Sequence, residues 1–453
     1  MFLQSTPNGD TVPDAPRSPR TRPGSARRGR TGPVARHGRL PRHRSWTTLV
    51  SVVASAAAVL LVSGTSVAAI AGAQLATAPH TVQLSTDDQS TAKTADVTAI
   101  AGGANILLIG SDTRIGQFDS DEDVEGARND VTMLVHISQD HQQLTAVSFP
   151  RDLMVPVPAC TNPETGTTYP AATSAQFNTA LGNGGVSCVV DTVENLTGLT
   201  IPYAGLITFD GVIEMSNALG GVKVCVATPI NDTFTGLHLS AGEHDLQGSD
   251  ALAFLRSRHG VGDGSDLARI SSQQVFLSAL LRQVTADGTL ANPITLYKLA
   301  GAALSNMTLS DGLARTRTIV GLASTLRGMS TANMLFVQYP VVDDPDDSAR
   351  VVVDEENAHA LNVALQSDEK TTLGDSSTGR ASREDPTAPA TPGTVETPSA
   401  APSSAGSATA SAPASASATP GAATTSTSTP SATPLPSSIT GQSAAEQTCS
   451  VGN

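Results

Sequence analysis

Aspartate and arginine recur together at four places in this chain, each beside an apolar run or a glycine-rich turn. The first is Gly110-Ser111-Asp112-Thr113-Arg114, directly after ILLI at residues 106–109. The second is Arg128-Asn129-Asp130, just before TMLVHI, and the third is Pro150-Arg151-Asp152, just after LTAVSF. The fourth is Leu255-Arg256-Ser257-Arg258-His259, followed by GVGDGSD and then by Asp266, Arg269 and Gln273. Paired carboxylates such as Asp112 and Asp130 suit Mg²⁺ or Mn²⁺, since Mg²⁺ takes one or two protein carboxylates and fills its shell with water and phosphate oxygens. Arginines suit phosphate and pyrophosphate, whose oxygens match the guanidinium fork. Each cluster alone has a plainer reading: Asp112 caps a turn, and exposed Asp–Arg pairs contribute under about 1 kcal/mol each. Their recurrence at comparable places favours one shared anionic ligand.

That convergence requires an α/β sheet, because ligands bind beyond the carboxyl ends of strands in such folds. Short strands are expected at residues 106–109, 133–137, 144–149, 203–209 and 222–226, with helices at 180–199 and 211–219 between them. Further helices are expected at 249–259, 266–284, 294–304, 311–326 and 355–366, and a last strand at 334–342. Ser249 and Asp266 are the expected caps of the fourth-cluster helices. The fold class is therefore α/β, a three-layer α-β-α sandwich with a central mixed sheet over residues 99–370. Residues i and i+2 of a helix point about 200° apart, so Arg256 and Arg258 share a pocket only if their helix ends near Ser257. Gly260, Gly262 and Gly264 supply such an ending. Asp266, Arg269 and Gln273 then fall on one polar face of the next helix, beside a stripe of Ile270, Leu277, Leu281 and Val284.

Several chemistries are disfavoured. The chain has no G-x-x-x-x-G-K-[ST] loop, no G-x-S-x-G elbow, no C-x-x-C and no H-E-x-x-H. The net charge of −14 hides a basic arm: residues 1–45 hold ten Arg against Asp10 and Asp14, or +8, which leaves −22 on the other 408 residues. A body so acidic lacks the basic footprint of a nucleic-acid binder.

After the arm, residues 46–73 carry no charge and can cross a hydrocarbon core of about 30 Å. A basic arm before a single apolar stretch places the N-terminus in the cytoplasm and the rest outside the cell membrane. A cleaved signal peptide is the alternative, though its basic start is ordinarily much shorter. Residues 74–98 form a polar stalk. Cys160, Cys188, Cys225 and Cys449 all lie beyond the span, where disulfides persist. Cys160 and Cys188 flank one Gly/Thr/Pro-rich excursion and are the expected pair; Cys225, in VKVCV, also suits a buried small hydrophobe. From Thr397 to Ala445 the chain has no charge and almost only Ala, Ser, Thr, Pro and Gly. A disordered tail is expected over 371–453.

With these residues in view, NILLIGSDTR, RNDVTMLVHI, SFPRDLMVPVP, ITFDGVIEMSNALGGVKV and LAFLRSRHGVGDGSDLARISSQQ together resemble the LytR-CpsA-Psr family of cell-wall glycopolymer ligases. Five motifs in one order carry the resemblance over residues 104–285, and it continues more loosely to about 370. The resemblance implies a membrane-anchored phosphotransferase that moves an anionic glycopolymer from a polyprenyl-(pyro)phosphate carrier to peptidoglycan. It implies Asp112 and Asp130 as Mg²⁺ ligands and Arg151, Arg256, Arg258 and Arg269 as the pyrophosphate clamp. Asp152 and Asp266 match family acidic positions, with a general-base or an orienting role. Arg114, Arg128 and Gln273 are expected to touch substrate. Asn129 stands where the family commonly has Ser, and the Ala/Ser/Thr/Pro tail replaces a further C-terminal domain of some relatives. A polyprenyl tunnel would need apolar residues around a void, which a sequence does not distinguish from core. The alternatives are a hydrolase on the same site and a non-catalytic lipid- or wall-binding protein.

Overall fold

Eight strands form the central sheet: β1 (His80–Val82), β2 (Ala104–Ser111), β3 (Asn129–Ile137), β4 (Leu144–Phe149), β5 (Tyr203–Ile207), β6 (Met307–Ser310), β7 (Met334–Gln338) and β8 (Gly441–Ser443). The computed structural model describes residues 80–84, 102–111, 127–162, 165–285, 293–374, 378–388 and 432–453. Strand order is β1-β6-β5-β2-β3-β4-β7-β8. The pairs β1/β6, β5/β2 and β4/β7 are parallel and the others antiparallel, so the sheet is mixed as expected. Seven helices accompany it among the described residues: α1 (Ala180–Thr197), α2 (Phe209–Leu219), α3 (Ser249–Arg256), α4 (Asp266–Thr285), α5 (Pro293–Asn306), α6 (Thr316–Gly328) and α7 (Glu355–Gln366).

Alternation along the strands divides the core in two. Leu107, Ile109, Leu134, Val147, Phe149 and Val337 face one side, where Val189 and Val193 of α1 and Leu361 of α7 cover them. Their neighbours Ile106, Met133, Ile137, Ala146 and Phe336 face the other, against Leu277 and Leu281 of α4, Leu304 of α5 and Leu322 of α6. Burying such side chains contributes about 1.5–3 kcal/mol each. The sandwich also carries a layer the sequence did not suggest. A second, four-stranded sheet packs Val222, Val224 and Val226 against Val275 and Phe276 of α4. Helix α4 is thus enclosed on both sides, and its polar residues Ser271, Ser272, Gln273, Gln274 and Ser278 are all buried.

The expected tail is corrected at both ends. Residues 371–374 and 378–388 are folded, with strands at Thr371–Thr372 and Ser382–Glu384. After a stretch outside the described residues, the chain returns: β8 pairs with β7, and Thr448–Val451 inserts between Val222–Thr228 and Ser382–Glu384. Leu435, Ile439 and Ala444 are buried, so the few apolar side chains of this polar segment lie where it docks. Cys225 is bonded to Cys449, and Cys160 to Cys188 as expected. The second bridge explains a kink in α1 at Gly184, where a Cβ would lie 2.5 Å from that of Cys160 and 2.7 Å from that of Cys188.

Caps differ in detail. The hydroxyl of Ser265, one residue before the expected Asp266, accepts from Ala268 N at 3.2 Å. Helix α3 follows Gly248 and has no side-chain cap. The basic arm, the expected span at 46–73 and most of the stalk lie outside the described residues, among which no helix is long and apolar enough to cross a membrane.

The docked segment carries a pH signature. Burial pushes the Glu446 carboxyl above its ordinary value, with hydrogen bonds from Ser443 only partly opposing. A raised folded value means that stability from this group is full below the unfolded value near 4.5 and is lost as pH rises through the folded value. Glu446→Gln should therefore raise the urea midpoint at pH 7.5 and leave it unchanged at pH 4. Equal midpoints at both pH values would show that Glu446 is not strained by its burial.

Candidate active site

The second, third and fourth clusters meet at one end of the sheet, and a β-bulge aims Asp130. Gly110 pairs with Val131 but Ser111 with Asn129, so Asp130 is the extra residue opposite one step of β2. Its neighbour Asn129 is buried and structural, accepting from Leu181 N at 3.3 Å and donating to Thr132 Oγ1 at 3.0 Å. Asp112 and Arg114 lie outside the described residues.

β4 ends at Phe149 and turns Arg151 over the same edge. Arg151 Nη1 donates to Asp130 Oδ1 at 2.5 Å, and its backbone N–H donates to Asp266 Oδ2 at 2.9 Å. Burial opposes the charge on Arg151, but Asp130, Asp152 and Asp266 outweigh it and hold the guanidinium pKa above its ordinary value. Arg269 is buried in the first turn of α4, donating Nη2 to the Asp130 carbonyl at 2.7 Å and facing Asp266 Oδ1 at 2.5 Å. Here burial wins: the pKa of Arg269 is lowered, with Asp266 and Asp130 working against that shift and Arg151 adding to it.

Asp152 is a hub. It accepts from Gln176 Nε2 at 2.7 Å, Arg258 Nη2 at 3.3 Å and Arg350 Nη1 at 3.3 Å, with Arg151 Nε at 3.8 Å. Neither Asp152 nor Asp266 lines the adjacent cavity, whereas Asp130 does. Both therefore have the geometry of carboxylates that orient arginines.

Helix α3 stops where the pocket requires. Ser257 is extended (φ −60°, ψ 128°), which brings Arg256 and Arg258 to the same cavity. Arg256 is exposed, lies 4.2 Å above the Phe209 ring, and makes no ion pair among the described residues. Gln273 lines the cavity too, but its amide nitrogen is committed to Leu255 O at 2.8 Å and so holds the end of α3. Arg128 is exposed and outside the cavity lining.

Beneath the arginines is a cavity of about 520 Å³. Asp130, Arg151, Arg256, Arg258 and Arg269 line it, and most of its wall is apolar, with Leu108, Val212, Met215, Leu252, Phe276 and Leu280 among the contributors. It lies within the range of about 300–1,000 Å³ in which pockets enclose most of a small ligand. Sheet and helices here stand apart rather than closing into core.

Two further groups were not foreseen. Asp232 is buried and lines the cavity; Oδ2 accepts from Ser257 Oγ at 2.7 Å, Arg258 N at 3.1 Å and Gly260 N at 3.3 Å. The only signal for it was an Asn-Asp-Thr turn, which any hairpin can carry. Arg350 has no local signal, being 198 residues from Asp152. The loop after Arg258 is held from its other side: Gly262 N donates to Val451 O at 2.9 Å, Asn453 N to Gly260 O at 3.1 Å and Asn453 Nδ2 to His259 O at 2.9 Å.

A family model described as the LytR_cpsA_psr family matches residues 68–367. Cell wall biosynthesis protein LcpA of Corynebacterium glutamicum is 30% identical over 295 residues, 59% of this chain and 56% of that protein. The match thus spans little more than half of that relative. Polyisoprenyl-teichoic acid--peptidoglycan teichoic acid transferase TagT of Bacillus subtilis is 28% identical over 298 residues, 64% of this chain and 87% of that one. Among solved structures, a LytR-Csp2A-Psr enzyme from Actinomyces oris is 24% identical with a TM-score of 0.46, covering 63% of this chain and 95% of that one.

Proposed function

Because the chain belongs to the LytR-CpsA-Psr family, we propose that it is a membrane-anchored, extracytoplasmic phosphotransferase that moves an anionic glycopolymer from a polyprenyl-(pyro)phosphate carrier to peptidoglycan. The observation that carries this reading is the junction of an apolar cavity with an arginine cluster. Such a site fits an amphiphile with an apolar chain and an anionic head. Arg256 makes no ion pair among the described residues and points its charge at the place the head would take.

Phosphoryl transfer asks a protein chiefly for positioning and charge neutralisation. Arg151, Arg256 and Arg258 would bind the pyrophosphate, and Arg269, bonded to the Asp130 carbonyl and to Asp266, would hold that edge of the site in register. Asp152 and Asp266 would fix the arginines. The acceptor hydroxyl, losing its proton to water or to a carboxylate at the cavity wall, would form the new P–O bond to the glycan-bearing phosphorus as the P–O bond to the carrier phosphate breaks. Polyprenyl phosphate would leave with its charge stabilised by the arginines. Asp130 fits a hard divalent cation, being an oxygen donor at the cavity wall with only Oδ1 engaged among the described residues. Asp130, with Asp112, would hold Mg²⁺ or Mn²⁺, which supplies further neutralisation of the pyrophosphate.

The test is transfer of labelled polymer from a polyprenyl-pyrophosphate carrier by the purified full chain. Label in the peptidoglycan fraction supports the reading, label free in solution supports a hydrolase, and no turnover supports a binding protein. Val212→Trp, which fills part of the cavity, should raise KM for the carrier at least about tenfold with little change in Tm. An unchanged KM would place the apolar chain elsewhere.

A further inference from the structure

Phe234 is 79% exposed, more than any other large apolar side chain among the described residues, yet it stands at the rim of the cavity. Its turn is firmly built. Asp232 Oδ1 accepts the N–H of Phe234 at 3.0 Å and of Thr235 at 3.3 Å, while Oδ2 accepts Ser257, Arg258 and Gly260. One buried carboxylate therefore suspends both the aromatic turn and the arginine segment, and Phe234 keeps a set place relative to Arg258. The loop fits closely enough that a Cβ at Gly260 would lie 2.8 Å from that of Asp232. On its inner side the Phe234 ring lies 4.3 Å from that of His259, inclined by 38°.

We infer that Phe234, backed by His259, is the platform for the first sugar of a (pyro)phosphate-linked glycan. This rests on the carrier reading above and extends it to the polymer side. With the apolar chain in the cavity and the phosphates on the arginines, whatever is bonded to the outer phosphate emerges at the rim, where Phe234 stands. An aromatic face carries negative charge density and suits the C–H face of a pyranose ring. Membrane contact fits the turn less well. The tip Asn231-Asp232-Thr233-Phe234-Thr235-Gly236 has one large apolar residue, one acid and no base, whereas surfaces that enter a bilayer combine several apolar and basic residues.

The experiment compares binding of polyprenyl pyrophosphate and polyprenyl-pyrophosphoryl-N-acetylglucosamine to the full chain in detergent. The native protein should bind the glycosylated carrier about tenfold more tightly. Phe234→Ala should bring that ratio to about one while moving Kd for the bare carrier less than about twofold, and Phe234→Tyr should restore the ratio. A ratio unchanged in Phe234→Ala overturns the inference, as does an equal loss for both carriers, which would make Phe234 part of the lipid contact. Failure of the native protein to bind the bare carrier would overturn the carrier reading itself, and this inference with it.

Discussion

Arg151→Ala should reduce transfer by about 10²–10³-fold, the scale on which preorganised charge at a reacting centre acts. Arg151 faces the cavity and also ties β4 to both Asp130 and Asp266. Its loss removes a positive charge from the head-group position and leaves the Asp130 carboxylate without its ion-pair partner, while the backbone N–H bond to Asp266 is kept. Some stability should be lost as well, less than the roughly 3–5 kcal/mol of a fully buried pair because Arg151 keeps 26% of its side-chain surface. Arg256→Ala separates the two effects. Arg256 is exposed and makes no ion pair among the described residues, so its removal should lower the rate comparably while Tm stays within about 1 °C. Normal transfer by both variants, measured as label reaching peptidoglycan, would sink the assignment of the cluster as the phosphate site.

Replacing Cys225 and Cys449 together by Ala should lower unfolding free energy by about 3–5 kcal/mol. The bridge closes a loop across a sequence separation of 224, and chain-entropy estimates put such long loops near the upper end of disulfide stabilisation. Without it, Thr448–Val451 must find its slot between Val222–Thr228 and Ser382–Glu384 by strand pairing and the burial of a few side chains. The Cys160–Cys188 bridge is untouched in this variant, so urea unfolding of the oxidised protein isolates one cross-link. Transfer should fall with stability, because Val451 and Asn453 hold Gly262, Gly260 and His259 beside Arg258. An unchanged midpoint would mean that strand pairing by itself suffices to dock the segment.

Where sequence and structure agree, the governing interactions are local. Strands of six to nine residues at 104–149 appear because apolar residues alternate and turn residues bound them. Helix α3 ends at Ser257, three residues before Gly260, and that break lets Arg256 and Arg258 reach one cavity. Asp130, Arg151, Arg256, Arg258 and Arg269 do line one cavity. Where they diverge, the missing term is long-range. The Thr397–Ala445 stretch is compositionally unfit for a core of its own, but its last residues need only a few buried side chains and two sheet edges to dock. Asp232 looked like any turn aspartate, because five donors from two separate segments cannot be seen in a tripeptide.

The sequence by itself determined which residue types gather at the site: arginines suited to anions, carboxylates beside them, and helix and strand ends that bring them to one edge. Only the tertiary structure decided that Leu108, Val212, Met215 and Phe276 enclose space instead of filling it. It also decided that the polar face of α4 is buried, with Ser272 meeting Ser450 and Gln442 meeting Ser278. The physical reason is the same in each case. Periodicity records how apolar a face is, but not how far away the facing layer stands, and that distance is set by pairings hundreds of residues apart.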